Sequence, residues 1–375
     1  MNKKKGMPTE VEPAFSAYLH AKAKKLGLPL AGNFELTSRC NFNCKMCYVH
    51  DNQNTQGELS AQEWIELGRE AVGRGMVFLL LTGGEPFLRE DFCDIYVGLK
   101  KLGLLLSINT NGSLIDGKMV DFLAKDPPMR MNISLYGANR ESYRQLCGQP
   151  AFDQVTHNIR ALHDAGIQIR LNSSFTPYNA EEIPGICQFA RELELPLKAT
   201  SYMFPPIRVN GCQYGQAPHR FTPEEAAQAM LRYREQQFTG EQLSKAWIVD
   251  PCGDQDCPDG QGDPMHCRAG KTAFWITWDG RMLPCGMFPG EGYSVAQMGF
   301  QEAWDAIRRD CAAVRLPATC SVCSYRTVCH ACAASSLTEC GNLTDPPEYI
   351  CRMTKHLDRI TREKYGREEP DRETK

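Results

Sequence analysis

The chain has 375 residues, enough for two or three domains of ordinary size. Its 42% hydrophobic and 23% charged residues are typical of a globular protein with a buried core. The net charge of −3 excludes the broad basic surface expected of a protein that binds duplex nucleic acid. The longest apolar run, Met76 to Leu81, is far shorter than the roughly 20 residues that span a bilayer, and the Lys-rich start lacks a secretion signal. We therefore expect a cytoplasmic protein with no membrane or nucleic-acid partner.

The region from Asn33 to Met203 alternates short apolar runs with amphipathic stretches. The predicted strands are Phe34–Thr37, Met76–Thr82, Leu104–Asn109, Met131–Leu135, Ile167–Ser174 and Leu197–Met203. The predicted helices include Ala61–Arg74, which follows a capping box of Ser60 and Glu63, and Asp91–Lys101, Gln154–Ala165 and Glu181–Glu194. This alternation predicts βαβ units and an α/β fold with a parallel sheet. The pattern alone leaves open a partial barrel or an open doubly wound sheet.

The pattern changes after a predicted helix over Thr222–Gln237. The segment Pro251–Pro264 has no periodicity, so we expect a domain boundary near residue 240. Two short strands, Ala273–Trp278 and Arg281–Pro284, flank Asp279-Gly280, a dipeptide typical of a type I′ hairpin. The sequence beyond Cys320 has too few apolar runs for a core of its own and is expected to need metal or disulfide bonds. The predicted division is a helical extension over 1–32, a core domain over 33–240 and a cysteine-rich domain over 241–375.

Cysteine is unusually frequent, with 18 residues in two groups and a few isolated positions. In a chain without an export signal these thiols are expected to stay reduced, and clustered reduced cysteines indicate metal. Cys40, Cys44 and Cys47 form the first group, and the second runs from Cys252 to Cys351. The isolated ones are expected to be small buried side chains: Cys93, Cys147, Cys187 and Cys212.

The first group, C-x3-C-x2-C, directly follows the first predicted strand. The carboxyl ends of parallel strands form the ligand-binding edge of α/β folds. Three close thiolates suit an iron–sulfur cluster that keeps one iron open, and a zinc site that borrows His50 is the alternative. The second strand ends in Thr82-Gly-Gly-Glu-Pro, where two glycines allow close approach to the backbone and Glu85 offers a carboxylate to an ammonium group.

Together, C-x3-C-x2-C and G-G-E-P one strand apart resemble the radical S-adenosylmethionine (SAM) superfamily, over roughly Asn33 to Met203. The resemblance implies a partial (β/α)6 barrel and a [4Fe-4S] cluster that Cys40, Cys44 and Cys47 hold and that binds SAM. It also implies reductive cleavage of SAM to a 5′-deoxyadenosyl radical, with an electron donor such as flavodoxin or ferredoxin. No general base is assigned. The SAM contacts it implies are Tyr48, Gly83, Gly84, Glu85, Asn111, Ser134 and Arg144.

The second group resembles the SPASM extension of that superfamily, which binds two auxiliary [4Fe-4S] clusters. This match implies Cys257, Cys267, Cys285 and Cys332 for the first auxiliary cluster and Cys320, Cys323, Cys329 and Cys351 for the second. The chain departs from the family in having two residues, not three, between Cys329 and Cys332. The open alternatives are Cys252 in place of Cys257, Cys340 in place of a neighbour, and a zinc-binding domain. Cys311, in a predicted helix over Gln301–Ala313, is interpreted as packing.

The SPASM resemblance implies an oxidoreductase that modifies a peptide or protein side chain. Two alternatives stay open: a radical SAM enzyme that acts on a small molecule or cofactor precursor, and a metal-binding or redox-sensing module without turnover. Gly286 stands where sulfatase-maturing members place an acidic base, which disfavours that branch.

Overall fold

The computed structural model describes residues 14–48, 57–206, 213–245 and 262–366. Within them the chain forms one sheet surrounded by helices. The strands are β1 Ala31–Glu35, β2 Phe78–Thr82, β3 Leu105–Thr110, β4 Arg130–Ser134, β5 Ile169–Ser174, β6 Leu197–Thr200, β7 Ala273–Ile276, β8 Arg281–Leu283 and β9 Tyr293–Ser294.

The helices begin and end where the sequence carries capping signals. Ser60 and Glu63 form the predicted capping box of the helix that follows β1, and Gly103 and Gly166 have positive φ between a helix and the next strand. The helices are α1 Ala14–Leu26, α2 Ala61–Gly73, α3 Phe92–Lys100, α4 Gly117–Lys125, α5 Arg140–Cys147, α6 Phe152–Asp164, α7 Ile183–Glu192, α8 Pro223–Gln237, α9 Gly240–Lys245, α10 Val295–Met298, α11 Phe300–Ala313, α12 Ala318–Ser321, α13 Ala333–Cys340 and α14 Glu348–Tyr365. Two 3-10 turns lie at Pro86–Leu88 and Ala180–Glu182.

The sheet has the order β6-β5-β4-β3-β2-β1-β7-β8-β9, and β1 to β6 are all parallel. All six strands predicted between Asn33 and Met203 are present, and the α/β fold with a parallel sheet is confirmed. The sheet is not closed into a barrel, because β6 and β9 are its two edges.

The two faces of the parallel sheet differ in chemistry. One face is apolar and packs against the helices, with fully buried side chains such as Phe34, Leu81, Ile108 and Leu171. Because side chains alternate along a strand, the neighbouring residues point to the opposite, inner face, and there the chain carries Asn33, Asn109, Asn132 and other polar groups. The polar inner face is where a ligand can enter without opening the core.

The C-terminal region continues the same sheet. β7 pairs in parallel with β1, and the Asn33 side chain donates a hydrogen bond to the Phe274 carbonyl at 2.8 Å. Farther along, α14 packs against α8 through a small apolar cluster of Ala227, Leu231 and Leu357. The cysteine-rich region is therefore joined to the core by strand pairing and by helix packing.

The hairpin between β7 and β8 differs from the predicted type I′ turn. Gly280 has φ +77°, but Asp279 does not have the positive φ that a type I′ turn needs at both central residues. Instead, the Gly280 amide donates to the Thr277 carbonyl at 2.9 Å, and the Thr277 amide donates to the Arg281 carbonyl at 3.0 Å. The Thr277 hydroxyl also bonds to the Asp279 carboxylate, which stabilises a longer turn with a single left-handed glycine.

Candidate functional site

The cysteine loop after β1 is held against the loop after β2 by backbone contacts. The Gly84 amide donates to the Thr37 carbonyl and the Glu85 amide to the Arg39 carbonyl, both at 2.8 Å. A Cβ at Gly83 would lie 2.5 Å from the Thr37 carbonyl oxygen, and one at Gly84 would overlap the Arg39 carbonyl. The two glycines are therefore required for the close approach of these loops, whatever ligand they also contact.

The end of α5 supports the other side of the cysteine loop. The Asn43 amide donates to the Cys147 carbonyl and the Lys45 amide to the Leu146 carbonyl, both at 2.9 Å. Within the loop, the Cys47 amide donates to the Cys44 carbonyl at 3.0 Å. The three cysteines thus lie on a loop that is fixed from two sides before any ligand binds.

Glu85 is fully buried beside this loop, at the carboxyl end of the strands. Its carboxylate accepts hydrogen bonds from the Thr110 hydroxyl at 2.8 Å, the Asn111 amide at 2.7 Å and the Phe87 amide at 3.2 Å. Burial raises the pKa of Glu85 to about 7, against the lowering effect of these three donors. The Asn111 side chain also donates to Asn41 at 2.8 Å and lies 3.8 Å from the Cys40 sulfur.

The thiols of the first group lie close enough to influence one another. Burial, with smaller contributions from the charges of Glu85, Cys44 and Cys47, raises the pKa of Cys40 to about 12. A hydrogen bond with Cys147 and burial raise the pKa of Cys44 well above its ordinary value. Metal ligands must be thiolates, so such a site favours a strongly positive group that offsets burial. These soft sulfur donors fit the iron of the implied cluster.

The zinc alternative for this loop includes one residue outside the described part of the chain. Across residues 14–48, 57–206, 213–245 and 262–366, no group of three or more His, Cys, Asp or Glu side chains is arranged to hold one ion. A four-iron cube does not need such convergence, because each thiolate binds a different iron. His50, the predicted partner of a zinc alternative, lies outside the described residues.

The remaining predicted SAM contacts, Ser134, Tyr48 and Arg144, differ in burial and in hydrogen-bond partners. Ser134 ends β4, and its carbonyl accepts a hydrogen bond from Tyr143 at 3.4 Å. Tyr48 is half-buried directly after Cys47. Arg144 is not brought into the group: its side chain is 60% exposed on α5 and pairs with Glu141 at 3.0 Å. Its predicted role as a carboxylate partner therefore has no support from its position, because a helix turn directs it to the surface.

Four cysteines of the second group line one small cavity. These are the four that the sequence assigned to the second auxiliary cluster: Cys320, Cys323, Cys329 and Cys351. Burial, with the charges of the other three, raises the pKa of Cys351 to about 11. Cys340 influences the pKa of Cys320, but its thiol lies 3.6 Å from the Pro346 carbonyl and is not among the cavity-lining side chains.

Three of the four cysteines assigned to the first auxiliary cluster also come together. Burial, followed by the charges of Cys332 and Cys267, raises the pKa of Cys285 to about 11. The fourth, Cys257, and its alternative Cys252 lie outside the described residues.

Sequence reasoning missed two cysteines that lie beside these groups. Cys147 is buried as predicted, yet its thiol hydrogen-bonds Cys44. Cys311 is also buried as predicted, and the pKa of its thiol is raised to about 12 by burial and by the charges of Cys267 and Cys285, among others. Neither belongs to a short spacing motif, so only the folded chain brings them to their neighbours.

A Tyr–His pair beyond β5 was likewise missed. The Tyr178 hydroxyl lies 2.9 Å from Nδ1 of His219, and the Lys45 ammonium lies 3.8 Å from the centre of the Tyr178 ring. Lys45 belongs to the cysteine loop, so this pair lies at the same edge of the sheet. The two residues are 41 positions apart and carry no local pattern.

A cavity of about 410 Å³ lies along the inner face of the sheet. Residues of all six parallel strands line it, and most of the side chains from β3 to β6 are polar. Its volume is within the range of small-molecule sites. The described residues that line it include neither Glu85 nor a residue of the cysteine loop. The cysteine loop and Glu85 form the candidate active site.

Comparison with known proteins agrees with this geometry. Residues 34–190 match the family model described as the Radical SAM superfamily. The chain is 26% identical over 344 residues to the AdoMet-dependent heme synthase of Methanosarcina barkeri, covering 86% of this chain and 96% of that protein. It is 32% identical over 173 residues to a probable GTP 3′,8-cyclase of Saccharolobus islandicus, covering 45% of this chain and 56% of that protein.

Solved structures share the fold over most of the chain. Streptococcus suis SuiB bound to precursor peptide SuiA aligns with a TM-score of 0.66 at 19% identity, covering 91% of this chain and 82% of that one. Native anSMEcpe with bound AdoMet aligns with a TM-score of 0.65 at 15% identity, covering 89% and 100%. At these identities the likeness concerns the fold. Among the described helices, none is long and apolar enough to cross a membrane.

Proposed function

Because the chain is a radical SAM enzyme, with its radical SAM domain over residues 34–190, we propose that it oxidises a side chain of a peptide or protein substrate. The observation that carries the proposal is the meeting of Cys40, Glu85 and Asn111 at the carboxyl edge of the parallel sheet. In the proposed reaction Cys40, Cys44 and Cys47 hold a [4Fe-4S] cluster with SAM. When bound, these groups supply an electron and a 5′-deoxyadenosyl radical that abstracts hydrogen.

The chain's own residues position these groups. Three hydrogen-bond donors fix the Glu85 carboxylate, so that it can accept a hydrogen bond from the ammonium group of SAM. Asn111, which follows β3 two strands away from β1, donates a hydrogen bond to Asn41 and so fixes the edge of the cysteine loop. Gly83 and Gly84 bring the two loops together, and Tyr48 and Ser134 are proposed as further SAM contacts.

Residues 241–375 are proposed as the auxiliary-cluster domain. The cavity lined by Cys320, Cys323, Cys329 and Cys351 supports a second auxiliary [4Fe-4S] cluster. The proximity of Cys267, Cys285 and Cys332 supports a first one, with Cys257 as the proposed fourth ligand. A reduced flavodoxin or ferredoxin is the proposed electron donor.

A peptide substrate is supported by two structural neighbours, one described with precursor peptide SuiA and one with the Cp18Cys peptide. A small-molecule substrate is the second candidate. One specific observation favours it: the relative that this chain matches over 96% of its length is described as a heme synthase.

Two auxiliary clusters favour a net two-electron oxidation, because an oxidised cluster can accept the electron that a substrate radical loses after hydrogen abstraction. We expect one 5′-deoxyadenosine per product and a substrate mass about two units lower, as in a desaturation or cross-link. Mass spectrometry of the product formed in heavy water provides the check. An unchanged mass in light water, with one deuterium gained in heavy water, would mean epimerisation or rearrangement instead.

The proposed SAM-cleaving activity is tested by anaerobic reconstitution of the protein with iron and sulfide, followed by addition of dithionite and SAM. We expect 5′-deoxyadenosine, which chromatography detects, and none from the variant in which Cys40, Cys44 and Cys47 are all alanine. Peptide-sized and small-molecule fractions of a cell extract, added separately, then show which substrate class stimulates SAM cleavage. Full iron loading without any SAM cleavage would favour a redox-sensing module.

A further inference from the structure

A buried serine shares the cavity that the four cysteines of the second group line. Ser336 lies on α13, is 1% exposed and is one of the cavity-lining residues. Its hydroxyl has no hydrogen-bond partner among the described residues. A hydroxyl buried in this way costs free energy, because it gives up its hydrogen bonds to water and gains none. Such groups are rare in native proteins, and a bound ligand is one of the partners that explain them.

The acceptor that a serine inside a helix ordinarily uses is already engaged. Such a hydroxyl can donate to the carbonyl four residues earlier, which for Ser336 is the carbonyl of Cys332. That oxygen accepts a hydrogen bond from the Ser336 amide at 3.0 Å and another from the Ser335 hydroxyl at 2.8 Å. A carbonyl oxygen has two lone pairs, and both are therefore used before the Ser336 hydroxyl is considered.

The wall of the cavity offers sulfur rather than oxygen as an acceptor. Among the described residues that line it, Ser336 alone has a side-chain oxygen. The one cation of the lining, Arg326, is paired with Asp263 at 2.9 Å. The remaining side chains are the four thiols and three apolar groups. A ligand that the four thiols hold is therefore what the Ser336 hydroxyl can meet in this cavity.

Two other donors already serve a sulfur of this group. The Ala331 amide donates to the Cys329 sulfur at 3.4 Å, and the Thr354 hydroxyl donates to the same sulfur at 3.8 Å. Hydrogen bonds to the sulfurs are among the factors that set the reduction potential of an iron–sulfur cluster. The Ser336 hydroxyl is a third donor at this group, and the one without an acceptor among the described residues.

From the unpaired hydroxyl, its burial and the thiols that share its cavity, we propose that Ser336 donates a hydrogen bond to a sulfur of the second auxiliary cluster and raises the reduction potential of that cluster. The reduced cluster carries one more negative charge than the oxidised cluster, so a hydrogen-bond donor stabilises the reduced state more. A higher potential makes this cluster a better acceptor for the electron that a substrate radical loses.

This inference rests on the proposed function, because it assumes that the four thiols hold a [4Fe-4S] cluster. It adds a residue outside the cysteine motifs that tunes this cluster. The helix that carries Ser336 is well placed for such a role. α13 begins directly after Cys332 of the first auxiliary group, and Glu339 near its end bonds to Tyr202, which follows β6. One short helix therefore extends from one cysteine group past the other toward the sheet.

Redox titration of the anaerobically reconstituted full chain tests the inference, with electron paramagnetic resonance of the reduced clusters as the readout. In Ser336→Ala the ratio of reduced to oxidised second cluster at a fixed potential should fall about tenfold, because a hydrogen bond to a charged acceptor is lost. For a one-electron couple, a tenfold change lowers the potential by about 59 mV. Iron content should equal that of the wild type, and the step that shifts should be the one that Cys351→Ala removes.

The matched control is Thr338→Val, two residues farther along α13. It removes a buried hydroxyl that donates to the Ser335 carbonyl at 3.3 Å and that belongs to a residue outside the cavity lining. Its redox titration should match that of the wild type. An unchanged potential in Ser336→Ala, or an equal shift in Thr338→Val, would overturn the inference.

A second variant, Ser336→Thr, separates the hydroxyl from the size of the side chain. It keeps the donor and should keep both the iron and the potential of the wild type. If Ser336→Ala and Ser336→Thr lost iron alike or shifted the potential alike, the cavity would need the size of serine rather than its hydroxyl, and the inference would be wrong. Zinc in place of iron at the four thiols of the wild type would refute the proposed cluster and the inference with it, so the two failures are distinguishable.

Discussion

The two cysteine-rich regions of the molecule hold their thiols by different means. Cys40, Cys44 and Cys47 lie on a loop at the edge of a large sheet, and backbone hydrogen bonds from Glu85 and from the end of α5 hold it in place. Cys320, Cys323 and Cys329 lie on a short helix and the turns after it, and Cys351 lies in the first turn of the long helix α14; the four line a cavity of their own. The difference suggests a test: loss of thiols should leave the first region folded, because the sheet supports it, but should destabilise the second.

The largest effect on activity is expected from the loss of the first group of thiols, with little effect on stability. Replacing Cys40, Cys44 and Cys47 with alanine should abolish SAM cleavage, while the melting temperature stays near that of the wild type. Wild-type protein should hold on the order of twelve iron atoms in three four-iron clusters, and this variant about eight. Chromatography of 5′-deoxyadenosine measures SAM cleavage, iron analysis measures cluster content, and calorimetry measures the melting temperature. Stoichiometric zinc with little iron would overturn the cluster assignment in both regions.

The second region should respond differently to the same kind of change. Cys320→Ala or Cys351→Ala should lower iron content and melting temperature together, because metal binding is coupled to folding where a segment has little core of its own. The matched control is Cys187→Ala, a buried thiol on α7 away from both groups, which should keep iron and activity near wild type. A Cys351→Ala variant with full iron and normal melting would show that the ligand set is wrong.

The features of the two regions that can be predicted from the sequence are those set by residues close together in the chain. Each predicted strand has a partner in the sheet, because runs such as Met76–Thr82 combine burial with strand length. The prediction for the last strand extended to Met203, but β6 ends at Thr200, because it is an edge strand with pairing on one side only. The four thiols that line the second cavity are those that the SPASM resemblance implies for the second auxiliary cluster.

Features that depend on contacts between residues far apart in the chain could not be predicted from the sequence. Cys311 and Cys147 lie beside the two cysteine groups because of the folding of distant segments. The polar inner face leaves a signal in the sequence, since Arg170 and Asn172 alternate with the buried residues Ile169 and Leu171. A period of two along a strand indicates two different faces.

A buried ion pair joins the second cysteine-rich region to the segment between β6 and α8, and breaking it should affect stability rather than SAM cleavage. Glu339 on α13 accepts hydrogen bonds from Arg220 and from Tyr202, which follows β6. Both charged side chains are at most 10% exposed. Glu339→Ala should destabilise the protein by about 3–5 kcal/mol, because it leaves the Arg220 charge buried without its partner. Chemical denaturation measures this.

The control for that pair is an exposed one in the same part of the molecule. Glu241→Ala removes the ion pair with Lys245 on α9, where both side chains are more than 70% exposed. It should leave the free energy of unfolding close to that of the wild type, because solvent screens an exposed ion pair. Equal effects of the two variants would show that the buried Arg220–Glu339 pair contributes no more to stability than an exposed pair does.

The smallest effect on stability is expected from a substitution in the backbone contact that holds the cysteine loop against the loop after β2. A Cβ at Gly84 would overlap the Arg39 carbonyl, and Ser38 closes the same space. Because backbone cannot move aside as a side chain can, Gly84→Ala should cost about 1–3 kcal/mol and displace the cysteine loop from Glu85. SAM cleavage should therefore fall while auxiliary iron stays.

The matched glycine for this last prediction is Gly73 at the end of α2, where an added Cβ meets no atom within 4 Å. Gly73→Ala should leave SAM cleavage unchanged and stabilise the protein by up to about 1 kcal/mol, since alanine restricts the unfolded chain. Thermal unfolding and SAM cleavage measured on both variants separate loop packing from a general loss of glycine flexibility. If Gly84→Ala cleaved SAM as fast as Gly73→Ala does, the close approach of the two loops would not be what positions Glu85 beside the cysteines.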